Sequence, residues 1–532
     1  MRERRCLTTT RMPPVAPRHH PDRHRKTSVK CALPRSTVPA HPAAKSPSLK
    51  SRLTSDHGAS SLGPVGMMVL LAGVFMPQAD YFVVNVALPT IDRSLHASSG
   101  VLELIVAGYG AVYAALLVVG GRLGDMVGRR RVFAIGLAGF TAASLACGMA
   151  PDGWFLLGAR LLQGASAALV VPQVLATFHA TLQGARLHRA RSLYGAAAGL
   201  AIAVGQIAGG LLVTVNIAGT TWRPIFWVNV PIGLATLIAV PRFVPRTRSE
   251  HPATIDIRGT LLFAAALVAL LVPLAEGQTY GWPAWTWILL ACAPILAFTT
   301  IVFERRFENS GGVPLLPASL LRIRSMHRGL LLQLLFMLGY GALMFVFALT
   351  VQDGLHATAL QSGLAIVPMA ITFIIGSLLG PTVVGRFGGR MTVALGAAVN
   401  GIGLLGLVIV VTEKWPDFSL ISLAPALAIA GFGQALVFGS LFRLVLSGVP
   451  HRHAGVGGGV LVTIQQTGLA LGIATIGTLY LGLEIHGISQ AFAAAFAAQI
   501  AIMAGVVLAS RAMPAPDSYS PEPGSQVGTD LG

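Results

Sequence analysis

"GRLGDMVGRRRVF", residues 121–133, is a short polar break between two long apolar runs. Gly121, Gly124 and Gly128 permit a tight turn and close helix approach. Asp125 can favour a helix N-terminus or pair with Arg129 or Arg130. Arg129, Arg130 and Arg131 place three adjacent positive charges at one end of both runs, and such charge holds a membrane loop on the cytoplasmic side. The stretch reads as a short inner loop joining two membrane-crossing helices.

The rest of the chain agrees. It has 532 residues, of which 54% are hydrophobic and only 11% charged. The mean hydropathy is +0.70. A soluble protein carries about 25% charged residues. Apolar runs recur from Leu62 to Ser510, and about 18 or more such residues suffice for one crossing. The fold class expected is an all-α polytopic membrane protein, multi-pass in the bilayer, and a water-soluble fold is excluded.

The net charge of +18 raises the question of a nucleic-acid partner, and its distribution answers it. The segment 1–62 is rich in Arg, Pro, Ser and His and lacks an apolar run. It reads as a disordered basic cytoplasmic tail able to touch anionic lipid, or as an extension upstream of a working start near Met67 or Met68. No nucleic acid is expected as a partner. Cys6, Cys31, Cys147 and Cys292 show no metal or disulfide spacing, and the tight pair His451 and His453 has no Cys or acidic neighbour. No cofactor and no metal are expected. Arginine far outnumbers lysine, and Ala and Gly are abundant, as in a GC-rich bacterial genome.

With a helix of about 20 residues as the yardstick, about 14 spans are expected. They cover 65–89, 101–121, 131–150, 154–178, 192–215, 224–241, 259–275, 285–303, 328–350, 361–384, 392–412, 419–447, 456–482 and 489–510. Loop charge tests that count. With a cytoplasmic N-terminus, the inner loops hold Arg129–Arg131, Arg186, Arg189, Arg191, Arg242, Arg246, Arg248, Arg258, Arg305, Arg306, Arg322, Arg324, Arg328, Arg386, Arg390 and Arg452. The outer loops carry Arg93, Arg223 and Lys414. Dropping one span would invert every later loop, so an even number with both termini cytoplasmic is expected. Tyr280, Trp282, Trp285 and Trp287 read as an outer interfacial belt.

A weaker echo of the opening loop, "GRFGGRMTV", stands at 385–393. Two Gly/Arg turns at corresponding places suggest two related halves. The domains expected are a six-helix bundle over 63–241, two additional helices and a cytoplasmic loop over 242–327, a second six-helix bundle over 328–512, and a disordered tail over 513–532. No loop is long enough for a soluble catalytic domain.

Within the first span, "FMPQADYFVVNVALP" (75–89) sets Asp80 in apolar surroundings. A carboxylate in mid-span costs about 2.5–3.5 kcal/mol on insertion scales, so a wet cavity or a partner is required. Burial disfavours its charge and a nearby cation favours it. Arg160 is the candidate cation. Asp80 lies roughly 20 Å above the inner end of its helix near Met67, and Arg160 about 9 Å below the outer end of the fourth near Trp154. In a core about 30 Å thick, both reach nearly the same depth. Glu103, near the outer end of the second span, reads as a second proton site or as a solvated residue. Asn85 is about 140° around the helix from Asp80 and is expected to bond a neighbouring helix unless Pro77 bends the chain. Close helix packing, with a possible gating role, is expected of Gln206 and of Gly195, Gly199, Gly205, Gly209 and Gly210. Gln465 and Gln466 could meet substrate or join helices.

These stretches resemble the major facilitator superfamily, and within it the 14-spanner drug:proton antiporters of the EmrB/QacA type. Gly121, Asp125, Gly128, Arg129 and Arg130 match the signature loop. "DYFVVNVALP" (80–89), with Asp80, Asn85 and Pro89, matches the first-helix motif. "ARLLQGASAALVVP" (159–172) matches the fourth at Arg160, Gln163 and Gly164. "GQIAGG" (205–210) matches the fifth in part, and "WRPIFWVNVPIG" (222–233) the entrance to the sixth. Three positions depart: Phe82 where the family usually has Thr, Gln206 where it has Pro, and Glu103 where Gln is frequent.

The resemblance implies alternating access between two six-helix bundles and proton-coupled export of a small amphipathic molecule across the bacterial plasma membrane, by a monomer. It implies Asp80 as proton acceptor, Arg160 tuning it, and residues 121–131 as a cytoplasmic latch between the halves. The substituted Gln206 keeps open an importer or narrow metabolite carrier of the same fold. A non-transporting membrane sensor or assembly partner is the remaining alternative. No phosphate loop, nucleophile constellation or metal site points to an enzyme.

Overall fold

The computed structural model describes residues 62–513, apart from 217–218, 250–254, 278, 313, 315–317, 448 and 450–453. The basic N-terminal segment up to residue 61, the C-terminal tail after Met513, Cys6, Cys31 and the His451/His453 pair lie outside the described residues. What is described is helical.

Apolar sequence explains the helices, and polar residues mark their ends. The membrane-crossing helices are α1 (Pro64–Leu95), α2 (Ser99–Val127), α3 (Arg129–Gly148), α4 (Gly153–Thr181), α5 (Gly184–Val215), α6 (Pro224–Phe243), α7 (Ile257–Gly277) and α8 (Ala284–Asn309). They continue as α9 (Arg324–Gly354), α10 (359–387), α11 (389–414), α12 (Leu420–Ser447), α13 (Gly457–Glu484) and α14 (Ile488–Ser510). Ser98 caps α2 by accepting from the Val101 N–H at 3.3 Å, and Asp152 caps α4 by accepting from the Phe155 N–H at 2.9 Å.

Thirteen continuous segments among the described residues are long and apolar enough to cross. One of them, Ala359–Lys414, runs 56 residues. At about 1.5 Å per residue that exceeds twice a 30 Å core. It is broken at Gly388, whose φ of 77° and ψ of 157° are not helical. That glycine, in the echo loop, divides the segment into α10 and α11 and restores the fourteen spans read from sequence. The first helix differs from expectation. It passes through Pro89 and ends at Leu95, because the proline interrupts one backbone bond without stopping a helix that its neighbours hold.

In the N-terminal half, α1 packs on α5, α2 on α4, and α3 on α4 and α6. In the C-terminal half, α9 packs on α13, and α10–α11 on α12 and α14. The additional pair α7–α8 is packed together, with α7 also lying against α2. The halves meet along α2 with α13 and along α5 with the start of α10.

Several bonds join the halves. Arg93 pairs with Asp353 at 3.2 Å. Gln352 donates to the Val86 carbonyl at 2.9 Å, the Leu360 N–H donates to Thr214 at 3.1 Å, and Thr478 lies 3.0 Å from Glu103. All gather toward the end where α1 finishes and α2 begins. The halves are therefore fastened at the Arg93 end, opposite the Arg129 end.

Candidate functional site

Five helices of the N-terminal half bring polar side chains to one buried point. Asp80 comes from α1, Arg160 and Gln163 from α4, Ser144 and Cys147 from α3, Asn229 from α6, and Tyr109 with the Ile105 carbonyl from α2. Asp80, Asn229, Gln163, Ser144 and Arg160 are each 5% exposed or less.

The Arg160 Nη1 donates to Asp80 Oδ2, and both side chains are fully covered. The same nitrogen lies 2.9 Å from Gln163 Oε1, and Arg160 Nε donates to the Ile105 carbonyl at 3.1 Å. The guanidinium carbon sits 4.3 Å from the centroid of the Tyr109 ring, a cation–π position. The other Asp80 oxygen accepts from Asn229 Nδ2 at 2.7 Å and from Gln163 Nε2 at 3.2 Å. Gln163 also donates to Ser144 at 2.8 Å and accepts from the Cys147 thiol at 3.2 Å.

This arrangement has a chemical consequence. Three donors converge on two carboxylate oxygens. They fill three of the carboxylate's about four acceptor positions, so a proton there would leave the donors room but would remove the negative charge that holds Arg160. A fourth donor atom, Arg160 Nη2, is buried and has no hydrogen-bond partner.

Close packing makes the convergence possible. A Cβ at Gly164 would fall 2.4 Å from the Tyr109 carbonyl oxygen, so only glycine lets α4 approach α2 here. Gly205 and Gly209 do the same for α5 against α1, at Ala79 and Val83. Gly210 faces the other half, where a Cβ would lie 2.5 Å from the Ala359 carbonyl oxygen. Gln206 donates toward the Met344 sulfur at 3.6 Å, again across the halves, while its Oε1 is buried and unpartnered.

The signature loop is tied to its own half and to the central segment, where Arg122 donates to the Pro314 carbonyl at 2.5 Å and the Arg129 N–H to the Thr247 carbonyl at 3.0 Å. Arg129 bonds Asp125 at 2.8 Å and the Ala176 carbonyl at 3.1 Å. Arg130 donates to the Pro241 carbonyl at 3.2 Å. Gly128, at φ 111°, makes the turn between α2 and α3, and Gly124 leaves room for Gln173. Gly121 sits beside Pro172. The loop expected as a latch between halves is thus fastened to α4 and α6 in this conformation, because its arginines find carbonyls there.

Other expectations fall differently. Asn85 does not bond a neighbouring helix. Its amide turns back to the Tyr81 and Phe82 carbonyls of α1 at 3.4 and 3.5 Å, and its Oδ1 has no partner. Pro89, one turn on, has no N–H for the Asn85 carbonyl, which leaves this stretch locally short of donors. Glu103 is no solvated end residue: it is 1% exposed and lies against Thr478 of the other half. Gln466 is buried with an unpartnered Nε2, whereas Gln465 is half-buried. Phe82, the departure in the first-helix motif, faces the C-terminal half, its ring 5.7 Å from that of Tyr340.

Ser144, Cys147, Tyr109 and Asn229 were not singled out in the sequence. Asn229 stood within the quoted "WRPIFWVNVPIG", where a polar residue four positions before a glycine was its only signal. Ser144 and Cys147 share a face of α3, one turn apart, and look there like ordinary small packing residues. Among the described residues no group of three His, Cys, Asp or Glu side chains could hold a metal ion.

Comparisons with known proteins agree with this geometry. The family model described as Major Facilitator Superfamily matches residues 70–473. The probable actinorhodin transporter of Streptomyces coelicolor is 34% identical over 415 residues, 78% of this chain and 72% of that protein. The puromycin resistance protein of Streptomyces alboniger is 33% identical over 438 residues, 80% of this chain and 84% of that one. The methylenomycin A resistance protein of Bacillus subtilis is 30% identical over 433 residues, covering 81% and 90%. Among solved structures, a peptide transporter of the POT family in complex with sulfate superposes with a TM-score of 0.64 at 16% identity, covering 86% of this chain and 97% of that one. A D-xylose–proton symporter does so at 0.59 and 16%, covering 86% and 99%. Membrane-crossing helices and bacterial relatives make this a multi-pass protein of the plasma membrane, and its kin make it a secondary transporter and not an enzyme. The chain belongs to the Major Facilitator Superfamily.

Proposed function

We propose that this chain exports small amphipathic antibiotics or drugs across the plasma membrane by alternating access, in exchange for protons. Asp80 is the principal proton acceptor and Arg160 its counter-ion. The observation that carries this reading is the fully covered Asp80–Arg160 pair, held from five helices with no exposed side chain. Such intramembrane charges mark proton and substrate pathways. Relatives named for actinorhodin transport and for puromycin and methylenomycin resistance support the substrate class.

Proton uptake by Asp80 removes the charge opposite Arg160, whose Nη1 already lies 2.9 Å from Gln163 and whose Nη2 has no hydrogen-bond partner. With the Arg129 end cytoplasmic, as its loop charge favours, the halves are closed on the outer side and the site faces inward. Residues 121–131 would then meet the other half only after the inner ends come together. Phe82, Tyr81 and Tyr340 form an aromatic seam between the halves, suited to a planar or aromatic substrate. Gln466, with its unpartnered amide, is a candidate polar contact, and Gln465 a second. The protein works as a monomer.

Drug susceptibility in an efflux-deficient bacterium tests this reading. Expression of the parent chain is expected to protect against an antibiotic, and Asp80→Asn at matched levels is expected to lose protection. Equal protection by both would remove Asp80 from the mechanism. Protection by neither would argue against export of these drugs.

A further inference from the structure

A second acidic site lies at the junction of three parts of the molecule. Glu103 is on the first turns of α2, Glu276 on the last turn of the additional helix α7, and Thr478 on α13 of the C-terminal half. Glu276 is 3% exposed, and neither of its carboxylate oxygens has a hydrogen-bond partner. Its carboxyl group lies against Gly100, where a Cβ would come 2.7 Å from the Glu276 Cδ. Gly100 is one helical turn before Glu103, on the same face of α2. The two carboxyls thus lie along the same face of α2.

No cation offsets them among the described residues. Arg93 and Asp92 stand at the end of α1, where Arg93 pairs with Asp353. Glu484, further along α13, faces Asp353 instead. Arg160 of α4 is committed to Asp80. Arg122, Asp256 and Glu304 lie at the opposite ends of α2, α7 and α8, and Arg129–Arg131 of α3 at the Arg129 end.

Among the described residues, the only donor offered to Glu103 is the Thr478 hydroxyl, at 3.0 and 3.3 Å from its two oxygens. That hydroxyl also lies 2.9 Å from the Ala474 carbonyl and 3.1 Å from the Leu274 carbonyl. It has one hydrogen for three acceptor groups. When that hydrogen goes to a carbonyl, the contact with Glu103 is a hydrogen bond only if Glu103 carries a proton and donates. Two covered carboxyls without a cation likewise cannot both ionise at ordinary cost. A surface pocket of about 540 Å³ lies beside Thr478, which lines it with Leu274, Trp282 and Thr475.

We infer that Glu103 and Glu276 form a second proton-binding site, in which at least one carboxyl is protonated while Thr478 of the other half covers it and which gives that proton up when the Arg93 end opens. Closing lays Thr478 over the carboxyls and takes one proton from outer water. Opening withdraws Thr478, admits water and returns the proton. The additional helix α7 supplies half of this site, which gives it a part in gating the Arg93 end. The inference rests on the proton-coupled reading above for its role, but not for the existence of the bound proton.

Infrared spectroscopy of the full chain in lipid nanodiscs tests it. At neutral pH the parent is expected to show the carbonyl stretch of a protonated carboxyl. The double variant Glu103→Gln with Glu276→Gln is expected to lose that band, and Asp80→Asn to keep it. A band unchanged in the double variant, or lost in Asp80→Asn instead, would overturn the site. Should the double variant not fold, Thr478→Val removes only the hydroxyl and is expected to shift the band; an unshifted band overturns the proposal. If the band behaves as expected but the parent moves no protons with drug, the exporter reading fails and the site stands.

Discussion

Arg160 on α4 donates to Asp80 on α1, and the two side chains share complete burial. Their helices run in opposite directions, and the pair meets where a third helix, α6, adds the Asn229 amide at 2.7 Å from the same carboxylate. A buried pair of this kind adds little net stability over an apolar replacement. Removing one partner is another matter, because the other charge is left uncompensated.

Asp80→Ala is therefore expected to lower stability by about 3–5 kcal/mol. Asp80→Asn keeps the volume and part of the hydrogen bonding and should lower it far less. Both should abolish proton-driven efflux. Thermal unfolding of the purified variants, followed beside transport, separates loss of fold from loss of coupling.

Arg160→Lys is not conservative at this position. Arg160 serves Asp80, Gln163 and the Ile105 carbonyl together, and stacks on Tyr109. A lysine is a point charge that cannot hold that fork. Losing one charge-assisted bond is worth about 1.5–3 kcal/mol, so efflux is expected to fall about tenfold or more. Near-parental efflux would show that charge alone suffices.

Asn229→Ala removes a donor to Asp80 while leaving the ion pair. The expected cost is about 1–3 kcal/mol of stability, with efflux reduced but measurable. Complete loss of efflux with unchanged stability would instead give Asn229 a direct part in transport.

Two glycines of α5 make a matched comparison. A Cβ at Gly210 would meet the Ala359 carbonyl at 2.5 Å and Leu360 Cα at 2.8 Å, whereas Gly195 has nothing within 4 Å. Gly210→Val is expected to separate the halves and stop transport with helix content unchanged by circular dichroism. Gly195→Val should transport nearly as well as the parent.

Arg93 and Asp353 fasten the two halves at 3.2 Å. Cysteines at both positions, joined by a short thiol cross-linker, should lock that end shut and stop efflux. Cross-linked protein that still transports would contradict a gate there.

Much of this was legible in the sequence because bilayer physics is severe. Length, apolarity and loop charge specify the spans, and depth along the helices puts Asp80 and Arg160 at nearly one level. What stayed hidden depends on rotation about helix axes and on neutral polar residues. Ser144 looks like any small packing residue, and Asn229 like an ordinary residue near a helix start. Glu276 sits at the end of a span, where a carboxylate carries no signal unless a second helix covers it. Asn85 was read from helix geometry alone, which does not foresee that its amide turns back onto α1. The α10–α11 junction shows the converse: one glycine in an unremarkable echo loop turns a continuous helical segment into two crossings.

The most direct test of the central claim is proton movement across proteoliposomes holding the parent chain or Asp80→Asn. An outward gradient is applied of an antibiotic against which the parent protects cells. The account predicts that drug addition moves protons in the opposite direction through the parent and moves none through Asp80→Asn. Equal drug-driven proton movement through both would contradict it.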